Sequence, residues 1–77
     1  MKRLRLYSRP GCHLCELLEN ELAPLLSGRA ALEIVDISDD PALLRRYGLR
    51  IPVLVEGEQE LSGYPLAADR VRAHLAL

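Results

Sequence analysis

The feature that most constrains this chain is a pair of cysteines, Cys12 and Cys15, the only two in the sequence, set three residues apart. They close the run Arg9-Pro10-Gly11-Cys12-His13-Leu14-Cys15, which follows a strand-like segment and precedes a leucine-rich helical one. Pro-Gly is a strong breaker dipeptide, so a helix is predicted to start at or near Cys12. Residues i and i+3 on a helix are neighbours, within the Cα separation of about 4.4–6.8 Å that a disulfide requires. The two sulfurs are therefore expected to open and close as a local redox pair.

Composition narrows the setting. With 77 residues the expectation is one domain, 1–77, with a small core. A net charge of −1 argues against nucleic acid as a main partner, because phosphate binding calls for a basic excess. Lys2, Arg3 and Arg5 alternate with Leu4 and Leu6, which reads as a solvated strand face. Nothing approaches the ~20 apolar residues of a membrane span. Met1-Lys2-Arg3 leads into an alternating segment rather than the apolar stretch of about 7–15 residues of a secretory signal. The expected compartment is thus the cytoplasm, where thiols are kept reduced and two cysteines are more often catalytic or metal-binding than a structural staple.

The rest of the chain falls into alternating periods. Leu4, Leu6 and Tyr7 mark a first strand. Leu14, Leu17, Leu18, Leu22 and Leu25 recur mostly at spacings of three and four, one apolar stripe of a helix. Pro24 is expected to kink or end that helix, since it cannot donate to the Asn20 carbonyl. Leu32 to Ile37 is nearly continuous in apolar residues and reads as a central strand covered on both faces. Asp40 and Pro41 are the predicted N-cap and first position of a second helix, with Leu43, Leu44 and Tyr47 inward and Gly48 as its stop. Ile51-Pro52-Val53-Leu54-Val55 is a third strand led by a proline, tolerated at a strand's first residue. A polar turn and Glu60-Leu61-Ser62 complete a hairpin. Gly63-Tyr64-Pro65 is the expected start of a last helix that buries Leu66, Ala67, Val71 and Leu75. The order is β-α-β-α-β-β-α, an α/β chain with a four-stranded mixed sheet and helices on both faces.

At this point the chain resembles a glutaredoxin-like member of the thioredoxin superfamily over essentially its whole length. Tyr7-Ser8-Arg9-Pro10-Gly11 followed by the Cys-His-Leu-Cys dithiol is similar to the glutaredoxin opening, and Ile51-Pro52-Val53 to the segment where the superfamily places a cis proline beside its site. The resemblance implies a minimal thioredoxin fold and a thiol–disulfide oxidoreductase. Cys12, at a helix N-terminus that favours an anion, is the expected nucleophile, and the more buried Cys15 the resolving thiol.

Around them, His13 either stabilises the thiolate when protonated or is an exposed spacer. Arg9 matches the position where glutaredoxins hold the glycine carboxylate of glutathione, or is a salt-bridging loop residue. Tyr7 flanks the thiolate pocket or ends the first strand inside the core. Ile51 and Pro52, with Ser62 and Gly63, are the expected substrate- or glutathione-binding segments. The late stretch departs from the family pattern. Ser62 stands where the first of two glycines is usual, Tyr64-Pro65 offers no carboxylate, and Asp69 lies a full turn further on.

The expected partners are a disulfide-containing protein or small molecule, with glutathione as co-substrate or a flavin-dependent reductase as electron donor. No tightly bound cofactor, metal, nucleic acid or membrane is expected, and the chain is expected to act as a monomer. Two other readings stand beside this one. Two subunits could carry an iron–sulfur cluster through Cys12 with glutathione, or the fold could serve as a non-catalytic module capturing a partner at Ile51-Pro52.

Overall fold

The computed structural model describes residues 1–76. Strand β1 (Lys2–Ser8) runs up the middle of the sheet with Leu4 and Leu6 on one face and Tyr7 on the other. Helix α1 (His13–Leu26) follows, turning Cys15, Leu18, Leu22 and Leu26 inward at spacings of three and four. This helix does not end at Pro24 but runs through it to Leu26, with Ser27 as its C-cap. Asn20 and Pro24 are both exposed, so the carbonyl that the proline leaves free lies on the side of the helix open to water, where it costs little. Two further helical residues then bring Leu25 and Leu26 onto the core.

Gly28, with φ of +74°, turns the chain into β2 (Ala30–Asp36), which pairs parallel with β1 from Lys2 opposite Ala30 to Ser8 opposite Asp36. Helix α2 (Pro41–Tyr47) is short and well fastened at its start, where the Asp40 carboxylate accepts from the N–H groups of Ala42 and Leu43 at 3.0 and 3.1 Å. Gly48 does stop it, though not by a left-handed turn: its φ is −53°. It is needed for closeness instead, since a Cβ there would lie 2.5 Å from the Leu44 carbonyl oxygen. Strands β3 (Val53–Glu56) and β4 (Gln59–Ser62) form an antiparallel hairpin through Gly57. Helix α3 (Ala68–His74) closes the described fold.

The sheet order is β2-β1-β3-β4, with β3 antiparallel to β1. The fold is the α/β minimal thioredoxin fold, a mixed four-stranded sheet with helices on both faces. Two expectations need correction. The apolar run of β2 lies at a sheet edge, not the centre, with Ile34 45% exposed. β3 takes the other side of β1, and a helix of 7 residues is too short to cover the outer strand. The last helix begins at Ala68 rather than at Gly63–Pro65, because residues 63–67 form a loop tied back by Ser62, whose hydroxyl accepts from the Ala67 N–H at 2.9 Å.

The sheet divides the core in two. On one side Leu4, Leu6, Leu18, Leu22, Leu26, Leu54, Leu61 and Val71 pack between α1, α3 and the sheet. On the other, Tyr7, Ile37, Tyr47, Val53 and Val55 pack under α2. Each fully buried leucine contributes roughly 1.5–3 kcal/mol of transfer free energy, so the α1/α3 side carries more of the stability.

Candidate active site

The site forms where β1 hands over to α1. The Ser8 carbonyl accepts from the Ile37 N–H at 2.9 Å, pinning the strand's end. Arg9, Pro10 and Gly11 then make the turn, closed by the Cys12 N–H donating to the Arg9 carbonyl at 3.3 Å. Gly11 sits at φ +78°, a left-handed conformation that costs glycine little. Cys12 is the N-cap of α1, extended at φ −84° and ψ 102°, and its Sγ accepts the Cys15 N–H at 3.2 Å. It thus fills the role of a serine or aspartate cap, satisfying one of the helix's unpaired donors.

Cys12 and Cys15 are joined in a disulfide with Cα atoms 5.2 Å apart. The two sulfurs are not equivalent. Cys12 is half-buried, while Cys15, in the first turn, is 3% exposed. The N–H that Cys12 accepts and the N-terminal end of a 14-residue helix lie at its sulfur, a setting with positive potential.

The other expected site residues distribute unevenly. The β1–β3 register ends with Tyr7 against Val53, so Pro52, just before Val53, enters the sheet at the same end from which Ser8 leads into the Arg9 turn. Pro52 is buried and its peptide bond with Ile51 is cis. Gly63 lies on the far side of Pro52, close enough that a Cβ there would sit 3.5 Å from the Pro52 carbonyl oxygen. Cys12, Cys15, Arg9, Ile51, Pro52 and Gly63 therefore gather at one end of the sheet.

Three residues take other positions. The Ser62 hydroxyl is turned into the chain, donating to the Gly63 carbonyl at 2.8 Å while accepting from Ala67. Tyr7 is 8% exposed and stacks on Tyr47, with ring centroids 4.5 Å apart, inside the α2-side core. His13 is exposed on the first position of α1. Arg9 is exposed too, and its charge is felt at Asp36. That carboxyl lies below the ordinary aspartate range mainly through hydrogen bonding to Ser38, with Arg9 a smaller contributor.

The sequence reading passed over Arg46 and Arg50, whose guanidinium carbons lie 5.2 and 5.6 Å from the centre of the Tyr47 ring. Arg50 also pairs with Glu60 on β4. The signal was its place immediately before Ile51-Pro52. Tyr64 and Arg70 line a hollow with it and carried no sequence signal, because three separate elements supply them. Among the described residues, no group of three or more His, Cys, Asp or Glu side chains is placed to hold a metal ion, and no helix is long and apolar enough to cross a membrane.

Against known proteins, the sequence model of the Glutaredoxin-like domain (DUF836) matches residues 3–76. No curated protein matches the chain. Among solved structures, it is similar to the X-ray structure of Northeast Structural Genomics target protein XcR50 from X. campestris, at 41% identity and a TM-score of 0.76, covering 95% of each chain. The solution structure of that target matches at 42% identity and a TM-score of 0.74, covering 95% of this chain and 91% of the other.

Proposed function

The chain belongs to the glutaredoxin-like domain family, and from that premise we propose that it is a thiol–disulfide oxidoreductase reducing protein or low-molecular-weight disulfides. The observation that carries this is the asymmetry of the dithiol. Cys12 is half-buried and its sulfur receives a helix N–H, while Cys15 is 3% exposed one turn behind it.

In the reduced protein the Cys12 thiolate attacks one sulfur of the substrate R–S–S–R′. A Cys12–S–S–R mixed disulfide forms, and R′–S⁻ leaves and takes up a proton. Cys15, deprotonated, then attacks the Cys12 sulfur and expels R–S⁻. The substrate gains two electrons and the protein ends with the Cys12–Cys15 disulfide. The Cα separation of 5.2 Å already suits that bond, so resolution needs no large backbone movement. Glutathione or a flavin-dependent reductase returns the two electrons. Ile51, half-buried and held by the buried Pro52 that follows it, offers the backbone edge along which a substrate lies.

An equilibrium titration in glutathione redox buffers, read by intact mass after acid quenching, tests this. The expected result is a reversible two-electron midpoint in the range of thioredoxin-like proteins, roughly −270 to −120 mV. A glutathione adduct on Cys12 would assign glutathione as reductant, and its absence with a low midpoint would assign a flavin reductase. Cys12→Ser is expected to abolish turnover and Cys15→Ser to trap the mixed disulfide. No disulfide at any poise, or full dithiol-dependent turnover by Cys12→Ser, would overturn the proposal.

A further inference from the structure

Beside the Pro52 loop, a hollow of about 240 Å³ opens between the segment entering β3, strand β4 and helix α3. Its lining includes Arg50, Glu60, Gly63, Tyr64 and Arg70, and its charges do not cancel. Arg50 is held by Glu60 and by the face of Tyr47, so that pair is close to neutral. Arg70 is exposed and has no hydrogen bond or ion pair among the described residues. The Tyr64 hydroxyl likewise has no protein partner among them. The Ser62 hydroxyl is already satisfied within the chain. The hollow thus keeps one uncommitted guanidinium and one phenol, a donor set suited to a carboxylate.

Its position gives that donor set a use. Gly63 carries the hollow up against the Pro52 carbonyl, and Pro52 precedes Val53, the residue paired with Tyr7 at the end of the sheet where β1 leads toward Cys12. A chain joined to Cys12 through its cysteine and lying along the half-buried Ile51, whose neighbour Arg50 lines the hollow, would bring its next residues to it. We propose that this hollow is a specificity subsite for an acidic side chain a residue or two from the cysteine of a peptide disulfide, with Arg70 as its principal donor. The assignment rests on the oxidoreductase reading and names the substrate class that reading leaves open.

The test uses three disulfide-linked peptide dimers, identical except for Glu, Gln or Lys two residues after the cysteine. The rate of each with the reduced protein is divided by its rate with dithiothreitol, which cancels intrinsic reactivity. The expected order is Glu, Gln, Lys, with Glu preferred over Gln by about fivefold at low ionic strength, shrinking as salt screens a half-open site. Arg70→Gln should bring the Glu-to-Gln ratio to about one, and Arg70→Lys should keep part of it, as a point charge without the guanidinium fork would.

A ratio near one in the unaltered protein, or an unchanged ratio in Arg70→Gln, overturns the subsite. If no peptide is reduced at all, the oxidoreductase reading fails instead, and the subsite is then read by binding alone. Titration with N-acetylglutamate should move the backbone amide resonances of Gly63, Tyr64 and Arg70 in the unaltered protein and not in Arg70→Gln. Absence of those shifts also overturns it.

Discussion

Ser62 offers a sharp test, because a strut and a substrate contact at this position predict different outcomes. It is 8% exposed, and its hydroxyl accepts from the Ala67 N–H at 2.9 Å and donates to the Gly63 carbonyl at 2.8 Å. In Ser62→Ala the Gly63 carbonyl, on an exposed residue, regains water, but the half-buried Ala67 N–H loses its acceptor. Leaving such a donor unpaired costs about 1–2 kcal/mol. Ser62→Gly adds about 0.5–1 kcal/mol for glycine inside a strand. A chain of 77 residues has a total stability of roughly 4–12 kcal/mol, so either loss is a sizeable fraction.

Urea unfolding followed by circular dichroism reads the difference. With a slope near 1 kcal/mol/M, as for small domains, the midpoint should fall by about 1–2 M in Ser62→Ala and further in Ser62→Gly. Disulfide-reduction rates measured below both transitions should change little. An alanine variant within about 0.5 kcal/mol of the original, the ordinary range for surface changes, would refute the strut. Lost activity at unchanged stability would place the hydroxyl against substrate instead.

Three further outcomes follow from the fold and its charges. Asp40→Ala removes the acceptor of two N–H groups at the head of α2 and should cost about 1 kcal/mol, lowering Tm by about 4–8 °C in calorimetry. Leu22→Ala, at a fully buried position, should cost about 2–5 kcal/mol in urea unfolding. Glu56 is held below the usual glutamate range chiefly by its hydrogen bond to His74, with Lys2 adding to it. The unfolded chain therefore binds more protons there than the folded one, and stability rises with pH through that window. The contribution is full above the unfolded carboxyl value and is lost as pH falls through the lower folded one. Glu56→Gln should flatten the acid limb of a stability–pH profile.

The order of elements was legible because each announces its own period: alternation in β1, threes and fours in α1, Asp-Pro at α2. The place of the dithiol was legible for the same reason, since Pro10-Gly11 breaks regular structure between the alternating β1 segment and the leucine stripe that begins at Leu14. What the sequence could not show depends on partners far along the chain. A run such as Leu32 to Ile37 has the same letters whether β3 docks beside it or on the other side of β1. Pro24 breaks a helix only if its vacated carbonyl lacks water. The Tyr7–Tyr47 stack, the arginines over it and the inward Ser62 hydroxyl all join residues from separate elements, and no local pattern encodes such meetings.

Lys2, Glu56 and His74 meet at the pole of the sheet away from Cys12, with Lys2 Nζ 3.8 Å from the Glu56 carboxylate. Met1, next to Lys2, is exposed, so Cys12 and the start of β1 lie at opposite ends of the sheet. That polarity makes the domain easy to mount. A thiol-free linker at residue 1 would hold the protein on an electrode or resin with the dithiol outward, so that the proposed exchange with soluble disulfides could be read without the support in the way.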